Sequence, residues 1–327
     1  MPTNRRDFLT RGGLVTAACA GAGLLSGCVA SAAADDAAAA ESGSPRPYGF
    51  TYALNTGTIR GQKLGLVGEL ETTAKAGYSG IEPWLGTIHE YVQAGGELRD
   101  IRRRCEDLGL SVCSGIGFAA WVVDDDDQRR VGLEQMKRDM DVLAQIGGTH
   151  IAAPPAGANR PGSRLDLDAA AARYAAIIEL GREMGVIPQI EIWGSSANLS
   201  HGSEALYVAA RSGRPEACVL LDAYHMYKGG TPPSVLKLLG RQAVHCFHMN
   251  DYPAEPPRET IADADRIWPG DGIAPLTEML RYLAGNHCQV ALSLELFNRS
   301  YWQLPAEEAA RQGLEKMKAA VAAAGLA

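Results

Sequence analysis

Two hydrophobic rhythms alternate along most of this chain. Short apolar runs bounded by turn residues fall at 49–54, 80–83, 111–116, 150–153, 189–193, 217–222, 243–250 and 289–296. These are strand lengths. Between them lie longer stretches with apolar residues every three or four positions, at 62–76, 98–108, 128–146, 166–184, 203–211, 233–239 and 276–283, with a last one at 305–324. That spacing predicts amphipathic helices. Several helical stretches stop at a glycine, as at Gly77, Gly109, Gly147 and Gly185, the residue best able to take the left-handed turn that ends a helix. Strict strand–helix alternation implies a parallel sheet. A doubly wound sheet would follow its first strand with a glycine-rich phosphate loop, whereas here Asn55-Thr56-Gly57-Thr58 follows it. Eight units over about 280 residues predict an α/β fold consisting of a single (β/α)8 TIM barrel over residues 47–327.

The N-terminal pattern differs. Arg5-Arg6 precedes Phe8 and Leu9, then a weakly apolar stretch at 12–25 that is too short to span a bilayer. This is the arrangement of a twin-arginine export signal. It ends in Leu25-Ser26-Gly27-Cys28, which resembles a bacterial lipobox and makes Cys28 the expected lipidation site. Residues 1–27 are therefore expected to be a signal peptide, and the Ala/Ser/Gly/Asp-rich 28–46 a flexible tether. The expected location is periplasmic or cell-surface, with membrane contact only through a lipid on Cys28.

Composition changes the picture little. Of 327 residues, 46% are hydrophobic and 21% charged, which is globular. The net charge is −7, and it becomes about −9 once Arg5, Arg6, Arg11 and Asp7 are removed with the signal. An acidic chain lacks the basic face a nucleic-acid binder needs. Cys105, Cys113, Cys218, Cys246 and Cys288 are odd in number and contain no CxxC; Cys218, Cys246 and Cys288 sit within or beside apolar runs and are expected to be small buried residues rather than disulfides. The sequence leaves a homo-oligomer open.

In a barrel the chemistry sits at the C-terminal strand ends. Strands one and two end at Asn55 and Glu82, both expected to touch substrate, and strand five carries Glu191. Strand six ends at Asp222, strand seven carries His248 and strand eight carries Glu295. A carboxylate inside an apolar strand is costly unless paired or metal-bound. Glu191, Asp222, His248 and Glu295 thus offer three carboxylates and one imidazole toward one point. That donor set suits one divalent ion, Mn²⁺ best, with Mg²⁺, Co²⁺ and Zn²⁺ also compatible. His245, three residues before His248, faces the other way and is expected to be structural.

Glu191, Asp222-x-x-His225, His248-x-x-Asp251 and Glu295 together resemble the xylose-isomerase-like barrel superfamily of sugar isomerases and epimerases. Glu82 and the phrase Arg266-x-Trp268-Pro269-Gly270-Asp271-Gly272-Ile273 support the resemblance, which covers about 48–320. It implies that Glu191 and Glu295 both hold the metal and flank the sugar. One removes the proton α to a carbonyl and the other returns it, through an enediolate stabilised by the metal. It also implies that His225 contacts a substrate oxygen. The chain departs from the best-known ketohexose epimerases in two places. Ala197 stands where they carry a substrate-binding Glu, and Ala254 where they carry an Arg. Lys228, Arg258, Arg266 and His150 are candidate replacements, with Lys228 or Arg266 able to hold an oxyanion. Trp84, Trp121, Trp193 and Trp268 fall near strand ends, where indoles could stack on sugar C–H faces. The expected activity is a metal-dependent sugar isomerase or epimerase. The alternatives are a lyase or hydratase of 3-keto-glycosides or keto-inositols, which shares the first proton abstraction, and, last, a non-catalytic sugar-binding protein.

Overall fold

A computed structural model describes residues 48–327. The expected signal peptide, lipidation at Cys28 and tether lie outside the described residues. Eight strands form one parallel sheet: β1 (Gly49–Asn55), β2 (Gly80–Glu82), β3 (Ser111–Val112), β4 (His150–Ala153), β5 (Ile187–Glu191), β6 (Cys218–Asp222), β7 (Cys246–His248) and β8 (Gln289–Leu294). Their order is β3-β2-β1-β8-β7-β6-β5-β4. The two ends meet through a parallel bridge, Gly115 with Ile151, so the sheet closes on itself. The fold is the expected TIM barrel. Small side chains such as Ala53, Ala152, Cys246 and Ala291 fill the barrel interior. A larger apolar cluster, including Leu54, Tyr174, Phe247 and Met317, packs the strands against the helices outside.

The helices form where the sequence supplies caps as well as periodicity. Asp125 accepts from the Gln128 N–H at the start of Asp126–Gln145. Asp166 does the same for Ala169 before Leu167–Met184. Gly185, at φ 72°, ends that second helix in the left-handed region. Two helices depart from the expectation. Leu85–Gln93 begins without a side-chain cap and runs only nine residues, so it carries little periodic signal. Ala223–Gly229 starts directly off β6, capped by Asp222 itself. The stretch at 233–239 is a 3-10 segment, Pro233–Leu238, rather than an α-helix.

Strand bounds also shift. β5 starts two residues earlier than expected because Ile187 pairs with His150. It stops at Glu191, beyond which the Trp193 N–H bonds to the Leu199 carbonyl. β7 is short because Asp251 leaves the ladder for an antiparallel bridge to Ile267. The register then sets the site: Asn55 lies beside Glu82, Asp222 beside His248, and His248 beside Ser293.

Candidate active site

The floor of the site is built by buried polar groups that occupy the same level on neighbouring strands. The His248 Nε2 lies 2.9 Å from Glu82 Oε2, so it donates to that carboxylate and the ring presents Nδ1 upward. Nδ1 lies 3.2 Å from Glu295 Oε2 and 3.5 Å from Asp222 Oδ2. It has no hydrogen-bond partner among the described residues. The ligand atoms of Asp222, His248 and Glu295 all lie within 4.8 Å of one another. A carboxylate behind a histidine, fixing its tautomer, is the arrangement that orients a metal-binding imidazole.

Glu191 lines the same cavity but stands outside that group of three. Its Oε2 is buried with no hydrogen-bond partner among the described residues. Burial and the nearby Glu295 charge push its carboxyl up to about 8, against the opposing pull of His248. The other shifts have equally direct causes. Burial alone would raise Glu82, but the His248 charge and hydrogen bonds from His248, Ser293 and Asn55 bring it to about 2. Burial would also raise Asp222, yet the Arg266 guanidinium holds it well below the carboxylate range. Burial would lower His248, and the Glu295 and Glu82 charges drive it well above the usual imidazole value. The field at His248 Nδ1 thus favours a positive charge, either a proton or a cation. Two orphaned buried atoms facing a carboxylate pair fit a divalent ion held by Asp222, His248, Glu295 and Glu191.

Above this floor is a cavity of about 300 Å³. Its walls include Trp84, Phe118, Trp193 and Phe297 on the apolar side, and Glu191, His225, Asp263, Arg266 and Glu295 on the polar side. Trp84 packs edge-on to Phe118 and Phe297 at 5.1 and 5.9 Å between ring centres. Arg266 is 1% exposed and sits between the rings of Tyr224 and Phe297. Its Nη1 donates to Asp222 Oδ2 at 3.0 Å and to Glu295 Oε2 at 2.8 Å. Its Nη2 meets Asp263 Oδ1 at 2.5 Å and His225 Nε2 at 3.0 Å. Burial and the Arg266 charge both push the His225 pKa down, favouring a neutral ring. The Arg266 loop is held by Asp251, whose carboxylate accepts from the N–H groups of Tyr252, Gly270, Gly272 and Ala274. A Cβ on Gly272 would come within 2.4 Å of that carboxylate, which accounts for the glycine in the motif.

Glu191, Glu295, His225, Arg266 and Trp193 therefore reach one cavity, with Asp222 and His248 beneath it. Five other expected contacts are corrected. His150 begins β4, so it lies at the opposite mouth of the barrel, stacked on His245 at 4.3 Å. Lys228 turns away, and its Nζ donates to the carbonyls of Arg258, Glu259 and Ile261. Trp121 is fully buried, with its indole N–H on the Pro154 carbonyl and its ring against Tyr174. Asn55 and Glu82, both expected to touch substrate, are fully buried behind the cavity wall. Asn55 Nδ2 donates to Glu82 Oε2 at 2.9 Å and to Glu295 Oε1 at 3.1 Å. Its Oδ1 accepts from Gly57 N–H and from the Trp84 indole. One amide thus ties the histidine's partner, a cavity glutamate and an aromatic wall together. Of the other indoles, Trp84 lines the cavity and Trp268 stacks on Tyr301 at 3.9 Å.

Sequence reasoning gave no role to Asp263, Phe297, Asn159 or Ser195, which also line the cavity. Phe297 sits two residues after Glu295 and could have been found from that spacing. Asp263 lies in a polar stretch with no periodic signal.

Comparison with known proteins places the chain in context. A family model described as xylose isomerase-like TIM barrel matches residues 70–320. The chain is 31% identical over 132 residues to an inosose isomerase of Halalkalibacterium halodurans, covering 40% of this chain and 46% of that one. It is 23% identical over 273 residues to a 3-dehydroshikimate dehydratase of Pseudomonas putida, covering 76% of this chain and 39% of that one. The match thus spans less than half the length of either relative. Among solved structures, the IOLI protein with a bound zinc atom superposes with a TM-score of 0.74 at 20% identity, over 84% of this chain and 98% of that one. An L-ribulose 3-epimerase superposes with a TM-score of 0.66 at 17% identity, over 84% and 95%. Three of these relatives are named as an isomerase, a dehydratase and an epimerase.

Proposed function

The chain belongs to the xylose isomerase-like TIM barrel family, and from that premise we propose that it is a metal-dependent isomerase or epimerase of a sugar or sugar derivative. The observation that carries the reading is the pair Glu191 and Glu295. They reach one cavity from β5 and from the end of β8, directly above the His248 Nδ1 and Asp222.

Abstracting a proton α to a carbonyl needs a positioned base and an electrophile for the developing oxyanion. Asp222, His248, Glu295 and Glu191 form the hard donor set for one divalent ion. That ion, when bound, polarises the substrate's carbonyl and hydroxyl oxygens. Mn²⁺ suits the three carboxylates best, and the zinc in the related solved structure supports Zn²⁺ as a second candidate. One of the two glutamates takes the carbon-bound proton, and the other returns it to the same or the neighbouring carbon. Which does which decides between epimerisation and isomerisation. His225 lines the cavity wall, its Nδ1 accepting from the Gly194 N–H and its Nε2 facing Arg266 Nη2, so it holds the guanidinium in place beside the substrate. Trp84, Phe118, Trp193 and Phe297 offer apolar faces to ring C–H groups and exclude water from the carbanion.

A second reading is a lyase that follows the same proton abstraction with β-elimination. The aromatic shelf favours it. Phe118 is 41% exposed, so Trp84, Phe118 and Trp193 lead outward from the carboxylates and leave room for a leaving group beyond the reacting ring.

The test is hydrogen exchange. The metal-loaded protein is incubated in D₂O with aldoses, ketoses, keto-inositols and 3-keto-glycosides and followed by NMR. Deuterium uptake with an intact skeleton supports isomerisation, and a released leaving group supports elimination. Absence of exchange with every substrate class, while Glu191→Gln and Glu295→Gln leave ligand binding and stability unchanged, would sink both enzyme readings. Export by the twin-arginine route and lipid attachment at Cys28 remain part of the proposal, tested by radiolabelled lipid incorporation into the wild type against Cys28→Ser.

A further inference from the structure

Among the described residues, Asp263 is the one carboxylate lining the cavity that serves no ligand set, and its side chain is 52% exposed. It pairs with Arg266 Nη2. Arg266 is in turn the only cationic side chain lining the cavity among the described residues. Its two terminal nitrogens are already engaged, and its Nε is buried without a hydrogen-bond partner among the described residues. Nη1 is spent on Asp222 and Glu295, Nη2 on Asp263 and against His225, and both faces are covered by Tyr224 and Phe297. Lys228 is bound to three carbonyls.

The charge count follows. Glu82, Asp222, Glu295 and Asp263 supply four negative charges, while Arg266 and a bound divalent ion supply three positive ones. The site keeps at least one surplus negative charge, whatever Glu191 carries. The facing wall of indoles and phenyl rings suits the C–H face of an uncharged ring. An incoming carboxylate or phosphate would meet like charge at the rim, where the cation lining the cavity, Arg266, is already paired with Asp222, Glu295 and Asp263.

We propose that Asp263 is a specificity-determining residue that makes this site select uncharged cyclic polyols and reject sugar acids and sugar phosphates. The proposal rests on the reading of the cavity as a sugar site. Asp263 acts by capping Arg266 and by supplying the surplus charge. Removing its charge frees one edge of the guanidinium and takes one negative charge off the site.

The test is a pair of polyhydroxylated cyclohexane rings, the uncharged myo-inositol and the anionic quinate, with the change on mutation as the deciding comparison. Both are titrated calorimetrically into the Mn²⁺-loaded wild type and the Asp263→Asn variant. In the wild type, myo-inositol binds at least about tenfold more tightly than quinate, the size expected of one repulsive charge at a half-exposed rim. Asp263→Asn tightens quinate about tenfold and moves myo-inositol by less than about threefold, and added salt narrows the wild-type gap. Quinate binding the wild type as tightly as myo-inositol overturns the proposal. So does an equal change for both ligands in the variant. In either of those cases the sugar site itself still stands. If neither ring binds a wild type that holds Mn²⁺, the reading of the cavity as a sugar site fails and takes this proposal with it.

Discussion

Replacing Asn55 by Asp changes one atom's chemistry and little of its shape. The acceptor half of the amide, which takes the Gly57 and Trp84 N–H groups, is kept. The donor half, 2.9 Å from Glu82 and 3.1 Å from Glu295, becomes an oxygen. Each lost bond to a charged acceptor is worth about 1.5–3 kcal/mol. If the new Asp were ionised, each like-charge contact at about 3 Å would add about 5 kcal/mol even at an effective dielectric of about 20. The folded protein therefore keeps the new Asp protonated, and its single O–H serves one of the two carboxylates. At low pH the variant loses about one bond, about 2–3 kcal/mol. As pH rises past about 3.9, the unfolded chain releases this proton and the native one holds it, so stability falls by about 1.4 kcal/mol per pH unit. By pH 7 that adds about 4 kcal/mol. With native stability of about 5–15 kcal/mol, the variant is then marginal. Urea unfolding followed by circular dichroism at pH 4.5 and 7.5, with chelator present, reads the difference directly. Were Asn55 instead a solvated group touching substrate, the Asp would cost under about 1 kcal/mol at both pH values. A small, pH-independent loss would refute the buried-amide account.

Glu69 gives the same linkage in a stabilising direction. Burial raises its carboxyl to about 7 and leaves Oε2 without a partner among the described residues. The unfolded chain ionises first, so its contribution falls as pH rises from about 4.5 to about 7, by about 3 kcal/mol. Glu69→Gln should equal the wild type near pH 4.5 and exceed it by about 1–3 kcal/mol at pH 8, measured as urea midpoints. Glu82→Gln removes the carboxylate that orients His248 and should weaken Mn²⁺ or Zn²⁺ binding about 10–100-fold in a direct titration. Trp121→Phe should cost about 1–3 kcal/mol through the unpaired Pro154 carbonyl and leave ligand affinity unchanged, which separates it from Trp193.

Trp121 and Trp193 show where reading the chain directly stops. Both follow a strand by a few residues, but one turns outward into the helix layer and the other inward, and nothing in local spacing separates them. His150 is different. Its place at the start of β4 was already visible in the strand pattern, and position alone sends it to the wrong mouth of the barrel.

The hydrophobic alternation determined the eight units and their parallel sheet, because burying both faces of a strand demands continuous apolar runs. The same runs exposed Glu191, Asp222, His248 and Glu295, because a charge in an apolar strand has no local partner. Only the tertiary structure decided what those groups face. The register put Glu82 behind His248, and closure of the sheet brought Asn55 against Glu295, 240 residues away in the chain. It also folded the Asp263–Arg266 loop over the site. Such pairings arise from long-range geometry, and a residue's neighbours along the chain carry no record of them.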